Sequence, residues 1–190
     1  MARSLDGCSF DNLCDGSCKS YACDKLIDIT NGGGNAPTVQ EAEQMLLDHL
    51  YHCVQSIEEK RGCKLEYFYI GKTCVKQSDI GGADFDHMDE RTWSLDDGIK
   101  RRWRSHRDTE YGRDGLVVLT VVTRDAIDPD IRRNKPEFHQ EDYALALESR
   151  LILECMRRDP RIYNETLEPG RRSSGYDGYP LYMAFKVKYV

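Results

Sequence analysis

Apolar residues recur along this chain with two distinct periods. Met45, Leu46, Leu50, Val54 and Ile57 fall at helical spacing. Thr38 stands where an N-cap belongs, with Glu41 three residues on as its capping-box partner, so the pattern predicts a helix from about 39 to 61. Gly62 is its stop signal. Lys64 to Lys72, rich in Tyr and Phe, reads as a strand. After Gly115 comes an unbroken run from Leu116 to Val122, a strand buried on both faces or nearly so. Ser94 or Thr92 can cap a helix reaching about Arg107. His139 to Arg158 predicts a further helix, and Tyr182 to Tyr189 a last strand. Helices and strands mix without regular βαβ alternation. The expected class is therefore α+β, with a small antiparallel or mixed three-stranded sheet flanked by helices.

Two polar stretches interrupt this pattern. Residues 30–38, Thr-Asn-Gly-Gly-Gly-Asn-Ala-Pro-Thr, read as a flexible connector. A boundary there gives a Cys-rich segment at 1–36 and a domain at 37–190. The second stretch, Ser78 to Asp97, carries Asp84, Asp86, Asp89, Glu90, Asp96 and Asp97. It reads as an acidic loop inserted at about 74–94 and solvated, since nothing in it follows the EF-hand ligand order. Residues 169–180 read as another loop.

Composition narrows the function. The chain has 190 residues, 39% apolar and 32% charged, with a formal charge of −6. That excludes a uniformly basic nucleic-acid coat but not a local basic patch. No apolar run is long enough for a membrane helix, and no apolar leader opens the chain, so no membrane partner and an intracellular location are expected. Of eight cysteines, Cys8, Cys14, Cys18 and Cys23 crowd the first 25 residues. Three readings stand: a four-thiolate zinc site, two disulfides, or reduced thiols on a loose tail. The spacings lack tight C-x-x-C pairs, so they do not decide.

Helical geometry points to chemistry. Ala144, Leu145, Leu151, Ile152 and Cys155 lie within about 60° of Glu148, so a carboxylate projects from the apolar face. An unpaired buried carboxylate is costly, so a cation is expected beside it: a core ion pair, or a functional arginine, lysine or metal. Around 95–107, Leu95, Ile99, Arg102 and His106 share one face, which turns Arg102 and His106 toward the core. Lys100, Arg101, Arg104 and Arg107 make the surrounding stretch the most basic in the chain and suit phosphate contacts. An inward acid and an inward guanidinium suggest phosphodiester chemistry. A carboxylate can hold Mg²⁺, an Arg can grip the charged transition state, and a Tyr or His can take the proton of an attacking water.

Four stretches carry a resemblance. Tyr69-Ile70-Gly71-Lys72-Thr73 resembles the YIG half of the GIY-YIG nucleases. Ile99 to His106 resembles their arginine-bearing helix, and Ala144 to Ile152 the helix that bears their metal-binding glutamate. Tyr163-Asn164 follows at the distance where the family places an asparagine. The resemblance covers roughly residues 64–168. It implies catalytic roles for Tyr69, Arg102, His106 and Glu148, with Glu148 binding Mg²⁺ or Mn²⁺. It also implies Gly71 as a point of close approach, Lys72, Arg101 and Arg104 as phosphate contacts, and Asn164 as a structural or backbone contact. The GIY half is missing from its usual place before Tyr69. Pro180-Leu181-Tyr182 is its closest counterpart, which implies a permuted arrangement: the C-terminal strand beside 64–72, supplying Tyr182 to the site. The implied activity is metal-dependent hydrolysis of DNA. A catalytically inactive nucleic-acid or protein binding module and a disulfide-stapled extracellular binding protein are the alternatives.

Overall fold

The structure, a computed structural model, describes residues 20–22, 29, 37–75, 102, 105–106, 114–127, 129–134, 139–165 and 176–189. Its elements are β1 (Ser20–Ala22), α1 (Val39–Arg61), β2 (Cys63–Lys72), β3 (Gly115–Val122), a 3₁₀ turn (Arg124–Ala126), α2 (Pro129–Asn134), α3 (Gln140–Arg158) and β4 (Tyr179–Tyr189). The fold is α+β. Three antiparallel strands form the body of the sheet in the order β3-β4-β2, and β1 adds to the outer side of β3 in parallel. Thus part of the Cys-rich segment is built into the sheet, and Ile29 joins the core.

Local chemistry sets the helix ends. The Thr38 hydroxyl accepts from the Glu41 N–H at 3.2 Å, and the Glu41 carboxylate accepts from the Thr38 N–H at 2.8 Å. Gly62 closes α1 at φ 55°, a left-handed conformation that suits glycine. α1 buries Leu46, Leu47, Leu50, Cys53, Val54 and Ile57 against the sheet and α3.

Two register shifts decide which way the strands face. In β2 the buried residues begin at Cys63 and Leu65; after the irregularity between Leu65 and Tyr67 they continue at Phe68, Ile70 and Lys72. One extra residue inverts the alternation for the rest of the strand. Phe68, Ile70 and the paired Phe185 and Met183 thereby join the core under α1 and α3. Tyr69 and Gly71 turn to the other face. A second shift lies between Val118 and Thr120 of β3.

β4 begins earlier than its sequence suggests. Tyr179 and Pro180 belong to it, rather than to the loop expected at 169–180. Proline lacks a ladder donor and is tolerated at a strand start. Its carbonyl still accepts from the Thr73 N–H at 3.0 Å. The outer edge of β2 is covered by the turn after α3. There the Phe68 N–H donates to the Arg161 carbonyl and the Tyr163 N–H to the Phe68 carbonyl. Thr73, Cys74 and Val75 are buried, and Val75 bridges to Gly178, so the sheet side of the expected insert is ordered protein. Residues 76–100 lie outside the described set, and so does the body of that insert.

The α3 turn is fastened by Arg161. Its guanidinium donates to both oxygens of Asp159, at 2.9 and 2.7 Å, and to Glu58 on α1 at 2.9 Å. These bonds hold the Asp159 carboxyl below its ordinary value. Burial raises Glu58, but the Leu65 N–H, Lys64 and Arg161 outweigh it and lower the group overall. Cys53, Cys63, Cys74 and Cys155 are buried in the core. Burial pushes the Cys155 thiol up to about 12, so it stays protonated.

A carboxylate lowered by folding adds stability above its unfolded pKa and loses it as pH falls through the folded value. Stability should therefore decline as pH drops from about 5 to about 3. Arg161→Met should cost about 1–3 kcal/mol at neutral pH and flatten that decline. Denaturant melts of both proteins across this range measure it. Parallel pH profiles would show that Arg161 is not what lowers the two acids.

Candidate functional site

Strand alternation brings four of the sequence-selected residues together. β2 and β4 pair so that Tyr69 faces Ala184 and Gly71 faces Tyr182. The C-terminal strand thus lies beside 63–72, as expected, but Tyr182 points to the face of the sheet away from Glu148, so the expected permuted site does not bring the two together. Tyr182 is fully buried, and its ring lies over the Gly71 backbone. A Cβ at position 71 would stand 2.5 Å from the Tyr182 hydroxyl and 2.7 Å from Tyr69 Cε1. Only a residue with no side chain admits both rings.

His106 completes the group. Its Nε2 is 3.0 Å from the Tyr182 hydroxyl. The hydroxyl donates when Nε2 lacks its proton and accepts when it carries one. The imidazole centroid is 5.1 Å from the Tyr69 ring and 5.5 Å from the Tyr182 ring, and the two tyrosine rings are 6.4 Å apart. A phenol hydrogen-bonded to an imidazole can pass a proton outward, the elementary requirement for activating water. Leu116 and Val118, paired with Ala184 and Tyr182, give this face an apolar floor.

Arg102 corrects the sequence reading. It lies in helical conformation one turn before His106, but it is exposed rather than turned into the core. Helical arithmetic fixes the angle between residues 102 and 106, not how far the covering layer extends over each. Arg101 and Arg104, and Cys8, Cys14, Cys18 and Cys23, lie outside the described residues.

Lys72 is also placed differently from its expected phosphate contact. Alternation sends it to the helical face, where its Nζ is 2.9 Å from Glu141 Oε1 and 5.0 Å from the Tyr179 ring centroid. The two side chains are 3% and 8% exposed. Burial, with Glu141 close by, pushes the Tyr179 hydroxyl up to about 12. Asn164 is structural. Its amide accepts from the Ile70 N–H at 2.9 Å and donates to the Ile70 carbonyl at 2.8 Å, sealing the edge of β2.

Glu148 is 3% exposed, on the stripe of α3 that carries Glu141 two turns earlier. It rises from the helical layer, whereas the tyrosines and the imidazole lie on the other face. β2, the edge strand, stands between the layers, and Gly71 is its thinnest point. Glu141 went unselected in the sequence, although its seven-residue offset from Glu148 was the signal for it.

Among the described residues no group of three His, Cys, Asp or Glu could enclose a metal ion. Glu148, 3% exposed on the apolar stripe of α3, is out of reach of the waters and substrate phosphate that complete a Mg²⁺ site, so it does not fit the implied ion. Among the described residues, no helix is long and apolar enough to cross a membrane. No protein-family model matches the chain, and neither does any curated protein or solved structure.

Gly71→Ala should destabilise the protein by about 1–3 kcal/mol, the usual cost of forcing a methyl into a packed site. Tyr182→Ala made in the same chain should recover much of that loss, because the methyl then occupies vacated space. A thermodynamic cycle over the two single variants and the double variant measures the coupling. Strict additivity would mean that the Tyr182 ring is not what excludes a Cβ.

Proposed function

We propose that the protein is a divalent-metal-dependent endonuclease that hydrolyses DNA phosphodiesters, similar to the GIY-YIG nucleases and with the tyrosine-bearing strand permuted to the far end of the domain. The observation that carries this reading is the β2–β4 register: it sets Tyr182 on Gly71, beside Tyr69 and bonded to His106. In this reading the Tyr182 hydroxyl passes its own proton to the unprotonated His106 Nε2 as it takes one from the attacking water, and the imidazolium then releases that proton outward. Arg102, which is exposed, would grip the phosphate with its planar fork. Glu148 is buried on the other face of the sheet, so it would not hold the implied ion at this phosphate. Tyr69 walls the group and fixes the imidazole.

The burial of Lys72 favours a second reading. A lysine neutralised by Glu141 adds nothing to a phosphate-binding surface, and the chain as a whole carries a charge of −6. A catalytically inactive module that binds nucleic acid or protein through the same face accommodates both facts.

Plasmid nicking separates the two readings. Wild-type protein with Mg²⁺ should convert supercoiled DNA to open circles. Tyr182→Phe should slow this by about a hundredfold, the usual weight of a positioned proton acceptor. Chelation of the added Mg²⁺ should abolish cutting. Retarded but uncut DNA would support the binding module. Equal cutting by wild type and Tyr182→Phe would reveal a contaminating nuclease.

A further inference from the structure

The face of the sheet that carries Tyr182 also carries a row of aromatic rings. Phe68 and Ile70 enter the core, so Tyr67 and Tyr69 take the opposite face of β2. Beside them, Ile162 bridges to Phe68 and packs on the core, which turns the next residue, Tyr163, to the same side as Tyr67. The Tyr163 and Tyr67 ring centroids are 5.6 Å apart. Tyr69 then continues the row to His106 at 5.1 Å and Tyr182 at 6.4 Å. Tyr182 is fully buried, whereas Tyr163, Tyr67, Tyr69 and His106 are each half-buried. From this we propose that Tyr163, Tyr67 and Tyr69 are a stacking platform for the bases of single-stranded DNA, leading an unpaired strand to the Tyr182–His106 group. The proposal rests on the reading of this face as one that meets DNA.

Spacing and charge both favour an unpaired strand over a duplex. Tyr67 and Tyr69 are two residues apart on a strand, a step of about 6.7 Å. That is twice the rise of about 3.4 Å per nucleotide in a duplex strand, so the rows match bases that have been drawn apart. Duplex DNA hides its base faces and is held mainly through its phosphates by many cations. The charge along this face is mixed. Arg102 is exposed one turn before His106, and Lys186, opposite Tyr67, and the exposed Lys188 lie toward the other end. Against them, Glu66 is exposed beside Tyr67, and the Asp114 carboxylate accepts from the Val187 N–H at 3.0 Å. Lys72 is paired with Glu141 on the other face. Stacking on aromatic rings supplies affinity without a strongly basic surface, but only for bases that are already unpaired.

Fluorescence anisotropy with a labelled oligothymidine strand and a labelled hairpin duplex of equal length tests this, with EDTA present so that nothing is cut. The single strand should bind at least about tenfold more tightly than the duplex. Tyr67→Leu and Tyr163→Leu should each weaken its binding about fivefold to a hundredfold, the range for loss of one base–aromatic stack, while Tyr67→Phe keeps it. In the nicking assay, supercoiled plasmid, in which strand separation is favoured, should be cut and the same plasmid linearised should resist. Equal binding of strand and duplex would overturn the proposal, and so would equal binding by Tyr67→Phe and Tyr67→Leu. The strand-against-duplex comparison uses wild-type protein alone, so it decides even where a leucine variant fails to fold. If wild-type protein binds the single strand and cuts nothing, the hydrolase reading falls and the platform stands. If it cuts duplex DNA and ignores the single strand, the platform falls and the hydrolase reading stands.

Discussion

The missing side chain at position 71 is the constraint around which the candidate site is organised. Antiparallel pairing sets Tyr182 opposite this position, and the absence of a Cβ lets the phenol fold down over the strand. Burying an aromatic ring of this size is a large apolar contribution, and its hydroxyl then needs a partner. His106 supplies that partner at 3.0 Å. Tyr69, two residues before the glycine on the same face, closes the side of the group. The geometry follows from one empty volume and one register.

On the other face of β2 the same strand end makes an electrostatic joint. α3 carries two buried acids on one stripe, Glu141 and Glu148. The first is matched by Lys72 at 2.9 Å. Burial of that lysine withdraws a positive charge from the surface and turns it into a fixed distance between helix and strand. The turn after the helix returns to cover the edge of β2, and Arg161 binds it to Asp159 and to Glu58 of α1. Edge, helix and neighbouring helix are thus fastened to one another, and the strand end is rigid where the site needs it.

Much of this was legible in the residues, for reasons that also explain what was not. The Thr38–Glu41 box and Gly62 act locally, so they marked α1 correctly. The run after Gly115 is apolar enough to reveal a buried strand. The placement of the C-terminal strand beside 64–72 was readable only through the resemblance, which left a second tyrosine-bearing strand to be found. The irregularity at Leu65–Tyr67 leaves no trace in composition, yet it decides which face Tyr69 takes. Alternation alone placed Lys72 opposite Tyr69, but its charge suggested a phosphate. For Arg102, periodicity gave a direction and could not say where cover ends and solvent begins. β1 was hidden because three residues among turn formers carry no pattern, and Pro180 disguised the start of β4.

The position of β4 has a consequence for how the protein is made. It is the central strand, yet it follows every other described element in the chain. As the polypeptide leaves the ribosome, β2 and β3 emerge long before the strand that must lie between them, each offering an unfilled ladder. The two halves of the sheet must wait, shielded from each other and from neighbours, until β4 arrives to join them.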